Sequence, residues 1–219
     1  MLNKLIILVS LLGTTIIPTT AQVNWSVALG GGMSYMNDYF GGHPLLNYQE
    51  DYLLEGGMLV YVPFREGGML GGQTGLLLRH SGFKDVPLDR DAIGDGGISS
   101  ENIPWDLENV QSVRNWSLKV PLTLKFDVFE PISLLFGGHV NYMMKTGMKN
   151  NLISSYQTWI PGVHLGLLAP LGQRFNIEGL VESDVSPRLT GTGGSLSPDI
   201  NYREFSYSIR LNYQLNSVR

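Results

Sequence analysis

The sequence predicts an all-β protein, an eight-stranded antiparallel up-and-down transmembrane β-barrel. Three observations predict it: apolar and polar side chains alternate with a period of two, the alternating runs are long, and the connections between them alternate in length. The runs reach about twelve residues, whereas strands of soluble proteins commonly have about five or six. A tilted strand that crosses a bilayer needs about nine to eleven residues, so these runs are long enough to span one.

Residues 113–146 form the clearest predicted hairpin. In its first run every second residue from Trp116 to Phe126 is apolar, and serine, lysine and threonine stand between them. Successive side chains of a strand point to opposite faces of the sheet, so this run has one apolar and one mixed-polar face. The second run repeats the alternation after a tight connection at 129–131. The pattern therefore predicts two antiparallel strands.

The same alternation predicts six further strands, at 24–37, 48–62, 68–80, 157–168, 174–189 and 203–215. Connections after the first, third, fifth and seventh strands are long, and the other three are short. Outer-membrane barrels have this alternation, with long external loops and short periplasmic turns. An even strand count then places both termini in the periplasm. Aromatic residues near the strand ends predict two girdles at the membrane interfaces.

Residues 1–21 are predicted to be a cleaved secretory signal peptide, and residues 22–219 the outer-membrane barrel domain. Lys4 supplies the positive start, residues 5–17 are apolar, and small residues precede a cleavage site after Ala21. The alternative is an N-terminal membrane anchor, but the apolar segment is shorter than the roughly 20 residues that a spanning helix needs.

Composition excludes several classes of function. The formal net charge of −4 gives no basis for nucleic-acid binding. Because the chain has no cysteine, disulfides and thiolate metal sites are excluded. Glycine is frequent, with 27 residues, and only 16% of residues are charged, a combination that favours a closed sheet with tight corners.

A sheet that spans lipid has to close, because every unpaired backbone group there costs several kcal/mol. With eight strands the interior is just filled by side chains, so we expect no open diffusion pore. The polar face of each strand is expected to point inward. It carries Asp51, Glu55, Arg79, Lys119, Lys125, His139, Lys145, His164, Glu178, Glu182, Glu204 and Arg210.

Simple antiparallel pairing across each loop predicts which of these charges meet. It sets Asp51 near Arg79 and Glu182 near Arg210, and we expect these interior ion pairs to be structural, since a buried charge is costly unless it is paired. The same pairing sets His139 opposite His164, with Glu178 about one strand further on. Two histidines and a carboxylate are candidate metal ligands, or they form a hydrogen-bonded cluster without a metal.

Pro121 is an exception within a predicted strand. Proline has no N–H to donate to a ladder, and a closed barrel has no edge strand to accommodate it. We therefore expect a local bulge or a missing ladder bond at this residue.

The segment from Trp116 to Phe126, WSLKVPLTLKF, followed by a short turn and a strand with Gly137 and Gly138, resembles the PorT-like outer-membrane β-barrel family. That family carries an aromatic-Leu-x-Ile/Val-Pro-Leu-x-Leu-Lys strand before a glycine-containing strand. The resemblance implies an eight-stranded outer-membrane barrel. Most members of the family have no assigned biochemical activity.

The long connection between the third and fourth strands, at 81–112, is rich in acidic residues. We expect it to be a solvated surface loop, with binding of calcium or of a cation that bridges lipopolysaccharide as the alternative. His80 lies beside Ser81 at the predicted outer rim, near Asp85, but its parity points it toward lipid, and adjacency of serine and histidine does not make a triad. No catalytic residue is therefore predicted.

We expect a non-enzymatic integral protein of the cell outer membrane with a side-chain-filled interior and acidic extracellular loops. Its expected roles are membrane integrity, surface interaction or an accessory role in secretion or assembly. Expected partners are outer-membrane lipids and lipopolysaccharide, the barrel-assembly machinery during biogenesis, and an envelope protein of unknown identity; no cofactor is expected. The alternatives are a soluble periplasmic carrier barrel for an apolar ligand and an outer-membrane lipid-modifying enzyme.

Overall fold

The computed structural model describes residues 23–38, 47–65, 68–86, 111–146, 155–191 and 200–215. The predicted signal peptide and the acidic segment 87–110 lie outside the described residues. The described chain forms ten strands: β1 (Asn24–Asp38), β2 (Asn47–Pro63), β3 (Leu70–Val86), β4 (Gln111–Phe129), β5 (Ile132–Thr146), β6 (Ser155–Tyr156), β7 (Trp159–Pro170), β8 (Phe175–Asp184), β9 (Leu189–Gly191) and β10 (Ile200–Gln214).

Eight of these strands form a closed antiparallel barrel in the order β1-β2-β3-β4-β5-β7-β8-β10. Thirteen residue pairs between β1 and β10, from Ser26↔Gln214 to Asp38↔Tyr202, close the sheet. The two short strands extend it at one end, where β9 pairs with both β10 and β6. The predicted eight-stranded up-and-down barrel is confirmed.

No helix among the described residues has the length and apolar content that a membrane-crossing helix requires.

The strands differ most from the predicted ones at two places. β3 continues to Val86, six residues past its predicted end, because the alternation persists there and buries Ser81 and Phe83 inside the barrel. The predicted seventh strand is instead divided into β8 and β9 by residues 185–188, which include Pro187. Proline removes a ladder donor, which accounts for the interruption.

Pro121 lies in the middle of β4 without a bulge. The register of β4 against β3 is the same before and after it, but the pairing is interrupted between Thr74↔Leu122 and Leu77↔Lys119. On its other side Pro121 stays in register with His139 of β5. The missing ladder bond is therefore confirmed. The register shifts lie elsewhere, between Glu50 and Leu53, between Trp116 and Ser117, and between Asp127 and Phe129.

Apolar and polar side chains are divided between the two surfaces of the barrel. The outward positions carry large apolar residues that are 37–72% exposed. These include Trp25, Val27, Leu29, Leu54, Met58, Leu76, Leu122, Phe136, Val163, Leu165, Leu167, Val181, Tyr207, Ile209 and Leu211. The lumen holds the polar and charged side chains, together with two small apolar clusters, Ala28–Leu59–Leu77 and Leu135–Leu168–Leu180.

The three short turns and both described chain ends lie at one end of the barrel. The backbone N–H of Leu215 donates to the carbonyl of Trp25 at 2.8 Å, which brings the first and last strands together there. The turns at 64–69, 130–131 and 171–174 join their strands at this same end. We call it the short-turn end; the four longer connections join the strands at the opposite, long-connection end.

Gly137 is expected to be essential for the β4–β5 packing. A Cβ at this position would lie 2.9 Å from the Cα of Thr123, which is closer than real Cβ contacts allow. We predict that Gly137→Ala lowers the free energy of unfolding by about 1–3 kcal/mol, because the strand backbone has to shift. Urea unfolding of the refolded protein in lipid vesicles measures it.

Gly179→Ala is the matched control, because a Cβ at Gly179 meets no atom within 4 Å. Its effect is expected to stay within about 0.5 kcal/mol. Equal losses in both variants would contradict the packing described for Gly137.

Candidate functional site

The most distinctive feature of the lumen is a chain of buried ion pairs. Five carboxylates and four cations take part, and every one of these residues is at most 4% exposed. The members of this lumen network are Glu55, Glu178, Glu182, Asp184, Glu204, Arg79, Lys119, Arg188 and Arg210. They come from five different strands and one strand interruption, so the network connects opposite walls of the barrel.

Glu182 lies at the centre of the lumen network. It accepts hydrogen bonds from both Arg79 and Lys119, which extend from the opposite wall. The neighbouring Glu55 pairs with the guanidinium of Arg210 at 2.7 Å and with Lys119 at 3.4 Å. Each of these two carboxylates is therefore shared by more than one cation.

Toward the long-connection end the network continues through Glu204. Its carboxylate accepts hydrogen bonds from Arg79 at 2.7 Å, from the Ser81 hydroxyl at 2.9 Å, and from Arg188. Arg188 also donates to Asp184 at 3.0 and 3.2 Å. Toward the short-turn end Arg210 pairs with Glu178 at 2.8 Å.

The lumen network fills the middle of the lumen. Charges at this depth are tolerated because each of them has partners of opposite sign, and removal of one partner leaves an uncompensated buried charge. Among the described residues, the space between Lys119, His164 and Arg210 amounts to only about 10 Å³. That is at most the room for one water molecule, so side chains nearly fill the lumen at this point.

The four residues predicted to form interior ion pairs are all buried, but both predicted pairings are wrong. Asp51 pairs with Arg114 at 2.8 Å, and Arg79 pairs with Glu182 and Glu204. The β2–β3 register places Glu55, rather than Asp51, across from Arg79. The prediction failed because it misjudged where the β2–β3 turn closes; the actual turn places Glu55, four residues along β2 from Asp51, across from Arg79.

The predicted pair of Glu182 and Arg210 fails for the same kind of reason. In the β8–β10 register Arg210 lies across from Glu178, and it bonds to that residue and to Glu55. Glu182 lies across from Ser206 instead. Two other residues predicted to be interior differ as well. Lys125 is only half-buried. Lys145 is exposed, because the bulge at Trp116 shifts the alternation and turns the Lys145 side chain to the outer face.

The two candidate metal ligands His139 and His164 do come together. Their rings stack with centroids 5.8 Å apart, and both residues are buried. The carboxylate beside them is Glu182, which lies across from His164 in the β7–β8 register; the predicted Glu178 is wrong. One potential ligand atom from each of His139, His164 and Glu182 lies within 4.8 Å of the others.

The surroundings of this histidine pair oppose a bound cation. Arg79 and Lys119 already contact the Glu182 carboxylate, so a metal there would meet two fixed positive charges. His164 also has a protein partner, because its Nε2 is 2.8 Å from the hydroxyl oxygen of Thr123. The geometry therefore fits a buried, stacked histidine pair better than a metal centre.

His80 was the residue weighed for a catalytic role. It belongs to an aromatic row on the outside of the barrel. Its ring lies 5.5 Å from that of Tyr52 and 4.4 Å from that of Trp116. Ser81 points the opposite way, into the lumen, where it donates to Glu204. The two residues thus lie on opposite faces of β3; the side chain of Asp85 lies outside the described part.

The sequence reasoning missed two members of the lumen network, Asp184 and Arg188. Arg188 was assigned to the body of a continuous strand, whereas it follows the interruption at 185–188 and folds back onto Asp184. The signal was Pro187, a residue that ends strand pairing. Gln73 of β3 also joins the network, because its side chain donates to Glu178 at 3.1 Å.

No protein-family model and no curated protein matches the chain. Solved structures do resemble it at low identity. Neisserial surface protein A (NspA) is 9% identical, with a TM-score of 0.47, over 88% of this chain and 98% of that one. The outer membrane protein OprG from Pseudomonas aeruginosa is 10% identical, with a TM-score of 0.44, over 89% and 97%.

A third similar structure is the outer membrane protein AlkL in lipid bilayers. It is 16% identical to this chain, with a TM-score of 0.46, over 93% of this chain and 95% of the other. At these identities and scores the similarity says nothing about function.

Among the cations of the lumen, Arg79 is expected to contribute most to the free energy of unfolding. Arg79→Met leaves Glu182 and Glu204 with fewer compensating charges, so we predict a loss of about 3–5 kcal/mol in the free energy of unfolding. Lys125→Met is the control, because the Lys125–Asp127 pair at 3.1 Å is partly exposed and is expected to contribute less than about 1 kcal/mol. Similar losses in the two variants would contradict the role given to the lumen network.

Divalent metal is expected to leave the protein unchanged. Because Arg79 and Lys119 oppose a cation beside Glu182, addition of Zn²⁺ or Ni²⁺ should not shift the unfolding temperature. Thermal unfolding with each metal and with a chelator measures this. A rise in unfolding temperature that disappears in His139→Ala would show that the histidine pair binds metal after all.

Proposed function

We propose that this chain is an integral barrel of the cell outer membrane, without catalytic activity, that presents its longer connections outside the cell. The observation that carries the proposal is the division of side chains between the two barrel surfaces: large apolar residues point outward and ion pairs fill the lumen. A soluble barrel would need the reverse division. Outer-membrane barrels have an outward apolar band and a polar interior.

The aromatic residues support two membrane interfaces. At the long-connection end, outward rings meet in the pairs Tyr35–Phe205 and Tyr142–Trp159, with centroids 5.2 and 4.8 Å apart. At the short-turn end Phe175 and Tyr213 meet at 5.1 Å. Aromatic girdles at both edges of an apolar band are typical of barrels that span a bilayer.

The position of the chain ends supports an orientation. Both described ends and all three short turns lie at the short-turn end, which in outer-membrane barrels faces the periplasm. With this orientation both termini are periplasmic, and the acidic segment 87–110 is extracellular. The outer-membrane lipids and lipopolysaccharide are then its immediate surroundings, and the barrel-assembly machinery inserts it.

The lumen argues against two other functions. A carrier for an apolar ligand needs an apolar interior, whereas this lumen holds nine paired charges. A lipid-modifying enzyme needs a nucleophile or an acid–base pair near the outer rim, and the His80 and Ser81 side chains point to opposite faces. A closed barrel with surface segments suits membrane integrity, surface interaction or accessory service to a secretion or assembly complex.

Membership of the PorT-like family is part of the proposal. It is supported by the WSLKVPLTLKF segment, which forms the central part of β4, and by Gly137 and Gly138, which follow in β5. Pro121 within this segment interrupts the pairing with β3 only, so the motif coincides with a defined structural feature of the barrel wall.

Surface labelling of single-cysteine variants tests location and orientation together, because the natural chain has no cysteine. Ser99→Cys, in the acidic segment, should react in intact cells with a maleimide that is too large to pass porins. Gln173→Cys, in a short turn, should react only after the outer membrane is permeabilised. The reverse pattern would contradict the orientation, and reaction of neither variant in intact cells together with recovery in the soluble fraction would contradict the proposal.

A further inference from the structure

The short-turn end of the lumen opens into a cavity beside Glu178. Its volume is about 460 Å³, within the range of about 300–1,000 Å³ that is usual for small-molecule sites. The Glu178 end of the lumen network forms its floor, and the β4–β5 turn lines its mouth. We call this cavity the vestibule.

The inner wall of the vestibule is rich in carboxamides. Five of them line it: Asn24, Gln73, Asn176, Asn212 and Gln214. Each carboxamide offers one acceptor oxygen and two N–H donors, so the wall presents both kinds of hydrogen-bonding group. Two serine hydroxyls, of Ser26 and Ser133, add to them.

Two of these carboxamides have unused acceptors. The Oδ1 atoms of Asn212 and Asn24 are buried and have no hydrogen-bond partner in the described protein. Asn212 is only 2% exposed, although it lines the cavity. A buried acceptor without a partner costs about 1–3 kcal/mol, so a ligand that donates a hydrogen bond to it removes an existing penalty.

The charges around the vestibule are compensated within the protein. Lys125 pairs with Asp127 at 3.1 Å, and Glu178 pairs with Arg210 at 2.8 Å. Glu130 is the remaining charged lining residue among those described, and it lies at the exposed mouth. The inner wall therefore offers hydrogen bonds without a free charge, which selects a neutral ligand over an ionic one.

We propose that the vestibule binds a neutral sugar of one or two rings. A sugar carries several hydroxyls that both donate and accept, which matches the mixed groups of the carboxamide wall. The rim residues Val128, Phe129 and Ile132 give the mouth an apolar side against which the C–H face of a sugar ring packs. With the proposed orientation, this site faces the periplasm.

Titration of the full-length protein in lipid nanodiscs with N,N′-diacetylchitobiose and with maltose, followed by NMR, tests the proposal. Saturable binding of at least one of the two sugars is expected. In Asn212→Ala the affinity should fall roughly fivefold to tenfold, the effect of one lost hydrogen bond. Asn176→Ala, at a half-buried position of the same wall, should weaken binding in the same direction.

Asn141→Ala is the matched control. Asn141 is also a lumen asparagine, 1% exposed and with an unpartnered side chain, but it does not line the vestibule. It should bind sugar with the affinity of the natural chain. Urea unfolding of each variant shows that the barrel is folded.

Three results would overturn the proposal. One is that neither sugar binds to the folded protein up to its solubility limit. Another is that Asn141→Ala weakens binding as much as Asn212→Ala does. The third is that the neutral peptide N-acetyl-triglycinamide binds in an Asn212-dependent way while neither sugar does, which would assign the vestibule to peptides. None of these results affects the surface labelling of Ser99→Cys, so the outer-membrane location is tested independently of sugar binding.

Discussion

The pairing of β1 with β10 is the constraint on which the rest of the structure depends. Thirteen residue pairs join the first strand to the last, so the sheet has no free edge along the barrel wall. In lipid an unpaired edge would cost several kcal/mol for each backbone group, which makes closure a requirement. Closure also creates an enclosed lumen, and an eight-stranded barrel leaves it just wide enough to be filled by side chains.

The lumen network follows from that enclosure. Arg79 and Lys119 reach across to the same carboxylate, Glu182, from neighbouring strands on the opposite wall. Such contacts exist only when the barrel is closed, because β3 and β4 are not adjacent to β8 in the sheet. The ion pairs therefore link sheet closure to lumen filling, and the carboxamide-rich vestibule is the part of the lumen that they leave open.

The period-two alternation predicted the strands, the closed barrel and the inward position of most lumen charges. It worked because successive side chains of a strand point to alternate faces of the sheet, and this does not depend on the register with the neighbouring strand. Lys145 was misplaced because a bulge at Trp116 changes parity locally, and Arg188 was misread because Pro187 interrupts the strand. Both errors arise where the backbone departs from a regular ladder.

The partners of the lumen charges could not be predicted in the same way. Hairpin pairing across a loop depends on where the turn closes, and the β2–β3 turn placed Glu55 rather than Asp51 across from Arg79. Contacts across the lumen depend in addition on the stagger of all eight strands. For this reason the predicted proximity of His139 and His164 was right, but the predicted carboxylate was wrong. Glu182, and not Glu178, lies beside them.

We propose that the outward face lies in lipid while the adjacent inward residues lie in a closed lumen. Spin-label accessibility at two successive residues of β10 tests it most directly, with Ile209→Cys on the outward face, 62% exposed, and Ser208→Cys on the inward face, 5% exposed. In lipid vesicles the label on Ile209→Cys should be accessible to dissolved oxygen and protected from a water-soluble nickel chelate, and the label on Ser208→Cys should be protected from both. Free access of the nickel chelate to the label on Ile209→Cys would contradict the account.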